Sequence, residues 1–194
     1  MLNSEARHYN APCQNQNLDS VATARSVISS RHRFLFETDA ALRSDGRRAD
    51  YRVASLLAGI VAEEGFLDGL VIESCAERYT RTVLFNAESY CVLAIVWRPG
   101  QMSPVHSHRA WCALGVHAGT LTETQFEPVA GGMERGLRVS GCRQLHPGSV
   151  TYGPAYDPSA HRMANLGVEP AVSIHIYGTP FERLGSDLNQ IWAD

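Results

Sequence analysis

The spacing of apolar and polar residues changes once along the chain, close to Tyr79. Upstream, apolar residues recur at helical intervals. "DSVATARSVISSRHRFLFETDAALRS" opens with a capping residue at Asp19 or Ser20 and predicts a first helix. "ADYRVASLLAGIVAEEG" predicts a second, ending at Gly65, and "LDGLVIESCAE" a short third. Downstream, the segments become short and rich in β-branched and aromatic residues: "TRTVLFN", "SYCVLAIVW", "SPVHSHRAWCALGVHAG", "TLTETQFEPV", "GLRVSGCRQLHPG", "SVTYGP", "AHRMANLG" and "PAVSIHIYG". Gly, Pro and Asn punctuate them, which predicts strands. Many short strands at regular spacing suit a sandwich or small barrel. The expected architecture is therefore mainly β. A helical part, residues 19–78, packs on a β-barrel, residues 79–194, within one domain over 1–194. Residues 1–18 are polar and rich in Asn and Gln, and predict a mobile arm.

Composition narrows the chemistry. A chain of 194 residues is long enough for one full core. A net charge of −3 gives no reason to expect a nucleic-acid or anionic-membrane partner. There is no lysine, which excludes Schiff-base chemistry on a lysine side chain. The cysteines, Cys13, Cys75, Cys91, Cys112 and Cys142, include no C-x-x-C pair, so a zinc ribbon, a thioredoxin-like motif and a disulfide framework are not expected. The N-terminus lacks the apolar stretch of a signal peptide, and no apolar run reaches membrane-spanning length. A cytoplasmic protein acting as a monomer or weak homo-oligomer is the expectation.

The chemistry concentrates in "PGQMSPVHSHRAWCALGVHAG". Residues at i and i+2 of a strand share a face, so His106 and His108 point the same way, an arrangement suited to a metal. On a regular strand Ala110 and Cys112 would join them, with Val105, Ser107, Arg109 and Trp111 opposite. A metal needs more than two ligands. His161, followed by Asn165, can bring a third imidazole into a barrel lumen. His146 beside Pro147 reads as exposed, and His117 faces away from His108. In "AVSIHIYG", Ser173, His175 and Tyr177 alternate with Ile174 and Ile176. That pattern gives either a hydrogen-bonded polar face inside the barrel or an exposed face of an outer strand, and three such residue types in strict alternation favour the interior. Arg81 follows Tyr79 on one strand face. An arginine there suits a bidentate grip on a carboxylate, although alone it reads as a surface residue. Cys112 has three readings: a ligand, a reactive group beside a metal, or a small buried hydrophobe.

The spacing Gly100-x5-His106-x-His108-x3-Cys112-x6-Gly119 resembles the first cupin motif, with cysteine in place of the usual glutamate. "HRMAN" resembles the end of the second motif. This implies a small, jelly-roll-like cupin barrel. From about Tyr79 to Phe181 the chain is similar to the cupin-fold thiol dioxygenases of the cysteine dioxygenase type. "YTR", Trp97, the H-x-H pair with "GTLTET", and "HRMANLGVEPAVSIHIYGTPF" carry that similarity. The short "HRAWC" spacing is similar to the 3-mercaptopropionate dioxygenase branch. The resemblance implies Fe(II) as cofactor, held by His106, His108 and His161. It implies Arg81 and Tyr79 at the substrate carboxylate, a Ser173–His175–Tyr177 triad, and a thioether joining Cys112 to Tyr177. It implies a small thiol and O2 as partners, both oxygen atoms passing to sulfur to give a sulfinate. L-cysteine is the first expectation. A mercapto acid (3-mercaptopropionate or mercaptosuccinate) and a non-catalytic metal-binding cupin are the alternatives.

Overall fold

The computed structural model describes residues 31–44, 48–130 and 136–184, and the backbone of 189–192. The expected arm and the start of the first helix lie outside the described residues.

Residues 31–43 form helix α1, and Ala49–Ala58 form α2. Phe34, Thr38 and Ala41 of α1 and Val53, Ala54 and Leu57 of α2 are buried, the spacing of one helical face. The second helix is shorter than its apolar pattern suggested. It stops before Gly59, and turns carry Ile60, Val61 and Phe66 into the core. The predicted third helix, within "LDGLVIESCAE", does not form. Gly69 adopts a φ of 75°, and Leu70 to Cys75 run without regular structure. The carbonyls there find partners in the barrel: Gln101 Nε2 donates to Cys75 O at 2.9 Å, and Thr80 Oγ1 donates to Glu73 O.

Among the described residues ten strands follow: β1 Thr80–Asn86, β2 Cys91–Trp97, β3 Val105–His108, β4 Cys112–Ala118, β5 Leu121–Pro128, β6 Leu137–Leu145, β7 Val150–Gly153, β8 Ala160–Ala164, β9 Ala171–Tyr177 and β10 Asn189–Trp192. They make two antiparallel sheets, ordered β1-β2-β9-β4-β7 and β10-β3-β8-β5-β6. The first sheet is covered on both faces. Val92, Ala94, Ala113, Ile174 and Ile176 pack against the helical layer, while Leu93, Ile95, Trp97, Leu114 and Val116 face the lumen between the sheets. This is why "CVLAIVW" reads as an unbroken apolar run. Each such large side chain contributes about 1.5–3 kcal/mol of burial. His117 ties the layers together, its Nδ1 donating to Val61 O at 2.7 Å.

Two details differ from the sequence pattern. "SPVHSHRAWCALGVHAG" is not one strand. It bends at Arg109–Trp111, so that β3 lies in one sheet and β4 in the other. Facing along a single strand therefore does not explain where Cys112 points. The bend is held by Gly178, whose N–H donates to Trp111 O at 2.9 Å, and a Cβ at Gly178 would fall 2.1 Å from Trp111 Nε1. Strand β10, short and not foreseen, pairs with β3 from Asn189 opposite His108 to Trp192 opposite Val105. The motif glycines Gly100 and Gly119 take φ values of 82° and 71°, in the left-handed region that favours glycine. Among the described residues no helix is long and apolar enough to cross a membrane.

Candidate active site

Strand β3 presents His106 and His108, and β8 presents His161, which lies directly opposite His106 in the strand register. One ligand nitrogen from each ring falls within 4.8 Å of the others. The rings are oriented by their far nitrogens. His106 Nδ1 donates to Pro104 O at 2.9 Å, and His161 Nδ1 donates to Glu123 Oε1 at 2.9 Å. Each Nε2 is thereby left as an acceptor. Among the described residues the buried His108 Nε2 has no hydrogen-bond partner. Burial, and then the neighbouring His161, lower the His106 imidazole to about 4 and hold His108 well below its ordinary value. Both rings are neutral at about pH 7 with their lone pairs available. Three converging imidazoles, one with an orphaned nitrogen, fit a divalent metal ion of the iron or zinc class.

Glu123 sits directly behind His161 and is nearly fully buried. Its other oxygen accepts from Arg143 Nε at 2.7 Å and Nη2 at 2.6 Å, across a direct strand pair. Burial alone would raise this carboxyl, but the contacts from His161 and Arg143 bring it below its ordinary value. A carboxylate behind a ligating imidazole fixes its tautomer and raises its basicity. Sequence reasoning quoted "GTLTET" without giving Glu123 a part. Glu123 lies two residues after the fully buried Leu121, and its place behind His161 comes from the pairing of β5 with β8.

The alternating residues of β9 face the lumen, as the pattern predicted, and they are buried. Trp97 Nε1 donates to Ser173 Oγ at 2.8 Å, Ser173 Oγ lies 2.9 Å from His175 Nε2, and His175 Nδ1 lies 2.9 Å from the Tyr177 hydroxyl. Burial, and then the Arg81 charge, push His175 well below its ordinary value. Burial, and then Cys112, push Tyr177 well above its own. The relay is neutral throughout. Its last member faces the metal candidates, with the Tyr177 and His108 ring centroids 5.8 Å apart.

Cys91 and Cys112 flank Tyr177 in the register, one on each neighbouring strand. Burial raises the Cys112 thiol far from thiolate formation, and the metal-type cluster among the described residues does not include it. At the β1–β2 side of the same sheet, Tyr79 stacks on Trp97 with ring centroids 4.5 Å apart, and Arg81 Nη2 donates to the Tyr79 hydroxyl at 3.2 Å. Arg81 is largely exposed but lines the same cleft as His106, His161 and Tyr177. A second, wider cleft of about 200 Å³ reaches His108 and His161 from the other side, past Cys112, Glu123 and Arg143. Arg109 and His146 are exposed, as expected.

Residues 72–186 match the family described as cysteine dioxygenase type I. The chain belongs to that family. Curated relatives include cysteine dioxygenase type 1 of Danio rerio, 30% identical over 109 residues, and of Homo sapiens, 30% identical over 115 residues. Each alignment covers 54% of this chain and 53% of the relative, so the chain spans about half the length of the curated relatives it matches. A solved Klebsiella pneumoniae protein with a double-stranded β-helix domain is similar at 16% identity and a TM-score of 0.48, covering 63% of this chain and 86% of that one. The span shared with the cysteine dioxygenase family begins before Tyr79 and ends beyond Tyr177. It therefore contains every side chain of the cleft described above. The helices α1 and α2, which back the first sheet, precede it.

Proposed function

We propose that the chain is an Fe(II)-dependent thiol dioxygenase that converts a small thiol carboxylate to its sulfinate. The observation carrying this reading is one lumen with two parts: three histidines with free Nε2 atoms, and a neutral relay that ends on Tyr177 beside them. His106, His108 and His161 would hold the Fe(II), which supplies a meeting place for a thiol sulfur and dioxygen. The protein's own side chains do the positioning. Arg81, held by Tyr79, takes the substrate carboxylate as a charge-assisted pair. That anchor keeps the sulfur near the histidines rather than loose in the cleft. Tyr177, oriented by His175 and Ser173, donates a hydrogen bond where oxygen adds to sulfur. Cys112 stands beside Tyr177, and a thioether between them would lock the phenol in place. Intact mass after turnover, lower by two hydrogens, checks that bond. A non-catalytic metal-binding cupin would have no use for a buried relay aimed at the metal ligands.

L-cysteine is the first substrate in this reading. One observation favours a mercapto acid such as 3-mercaptopropionate: among the described residues lining the Arg81 cleft there is no carboxylate to meet an amino group. An oxygen electrode separates the cases. Iron-loaded protein should consume oxygen with at least one thiol carboxylate and fail with the matching thiol that lacks the carboxylate. No uptake with cysteine, 3-mercaptopropionate or mercaptosuccinate would overturn the proposal.

A further inference from the structure

The direction in which protons point along the relay follows from counting donors. Ser173 is fully buried, and its hydroxyl has two partners, Trp97 Nε1 and His175 Nε2. An indole N–H can only donate, so Trp97 occupies one lone pair of Ser173 Oγ. A neutral imidazole carries one N–H, leaving two arrangements for His175. With the proton on Nε2, His175 would donate to Ser173 as well. The serine proton would then have no acceptor in a site closed to water, which costs the desolvation of a buried donor. Tyr177 would also have to spend its proton on Nδ1. With the proton on Nδ1, Ser173 donates to Nε2 and Nδ1–H donates to the Tyr177 oxygen. Every donor from Trp97 to His175 is then matched inside the relay, and only the Tyr177 proton turns to the lumen, beside Cys112.

We infer that Trp97 is a positioning residue: its indole N–H sets the polarity of the relay, so that His175 is the Nδ1–H tautomer and Tyr177 aims its hydroxyl proton at the lumen. Around that hydroxyl lie Cys112 and the ring of His108, with Arg81 further across the cleft. The position of Trp97 suits the task. It is 2% exposed, it lies on β2 beside β9, and its ring is stacked on Tyr79, which in turn holds Arg81. One side chain therefore links the carboxylate grip to the proton relay. Without that indole N–H, Ser173 could accept from His175 and the relay would lose its reason to point one way.

The tautomer can be read without any reaction, while its effect on turnover rests on the function proposed above. Imidazole nitrogen NMR on the full chain, loaded with Zn(II) as a diamagnetic stand-in and assigned with His175→Gln, should show Nδ1 as the protonated nitrogen of His175. A protonated Nε2 would overturn the inference. Trp97→Phe should give a mixture of tautomers or a switch to Nε2–H. An unchanged Nδ1–H in that variant would overturn the role given to Trp97. Should the variant fold poorly, a benzothienyl side chain at position 97, isosteric but lacking the N–H, makes the same test. In the iron-loaded enzyme these changes should lower kcat about tenfold, as for other outer partners of a metal site, with KM for the thiol unchanged. A fall carried by KM would contradict the positioning role. An inactive wild type with a clean Nδ1–H tautomer would refute the proposed function and leave this inference standing. An active one with Nε2–H would do the reverse.

Discussion

The lumen holds two polar clusters a few ångströms apart, and they are built on opposite rules. Along Trp97, Ser173, His175 and Tyr177, each link is a hydrogen bond of 2.8–2.9 Å to the next side chain in the relay. His106 and His161 use only their outward nitrogens, and His108 Nε2 has no partner among the described residues. A buried polar group without a partner costs stability, and a bound cation would give His108 Nε2 one. In the proposed function the first cluster orders protons within the chain, and the second would hold the metal ion. Their adjacency, through the contact of Tyr177 with His108, lets one act on what the other holds.

Substitutions should separate the two clusters. His161→Ala removes a ligand and should abolish both iron retention and oxygen uptake, a loss of about a thousandfold or more in activity. Metal content by elemental analysis checks it, and full retention of iron would break the comparison at its base. Tyr177→Phe removes only the end of the relay. It should leave iron content unchanged while kcat falls on the order of a hundredfold. Loss of iron in that variant would mean the clusters are one structural unit.

Most of this site was legible in the sequence because alternation along a strand fixes facing. The spacing of Ser173, His175 and Tyr177 put them on one face while leaving open whether that face was buried, and His106 with His108 needed only β3. Cys112 was different. Its place beside Tyr177 comes from the register of β4 on β9, across a bend that no period announces. Arg81 was an ambiguous surface charge until the fold brought Tyr79 and Trp97 together. Glu123 and the bond from Trp97 to Ser173 were invisible for the same reason. Each joins residues far apart in the chain, and only sheet pairing makes them neighbours. The missed β10 and the absent third helix show the limit of local patterns, since "NQIW" and "LDGLVIESCAE" take their conformations from what they pair with.

Finer effects sharpen the contrast. Glu123→Gln should weaken metal affinity by about tenfold to a hundredfold without moving the Tyr177 relay. Competition with a chelator measures it, and unchanged affinity would remove Glu123 from the account. The smallest effect is on stability. Burial keeps His106 and His108 neutral in the metal-free fold, below their ordinary value of 6.5. Between that value and about 4 the unfolded chain takes up protons that folded His106 refuses. Stability is therefore fully present above the unfolded pKa and declines as pH falls through this window. Urea midpoints of the metal-free chain should drop over it, and a flat profile would show that the histidines are not held neutral.

In the proposed function this lumen delivers both atoms of one dioxygen molecule to a thiol sulfur. Turnover of the iron-loaded protein under isotopically labelled dioxygen, with mass spectrometry of the product, tests it directly. The expected product is a sulfinate carrying label in both oxygen atoms. Label in only one of them, or a disulfide in place of the sulfinate, would contradict it.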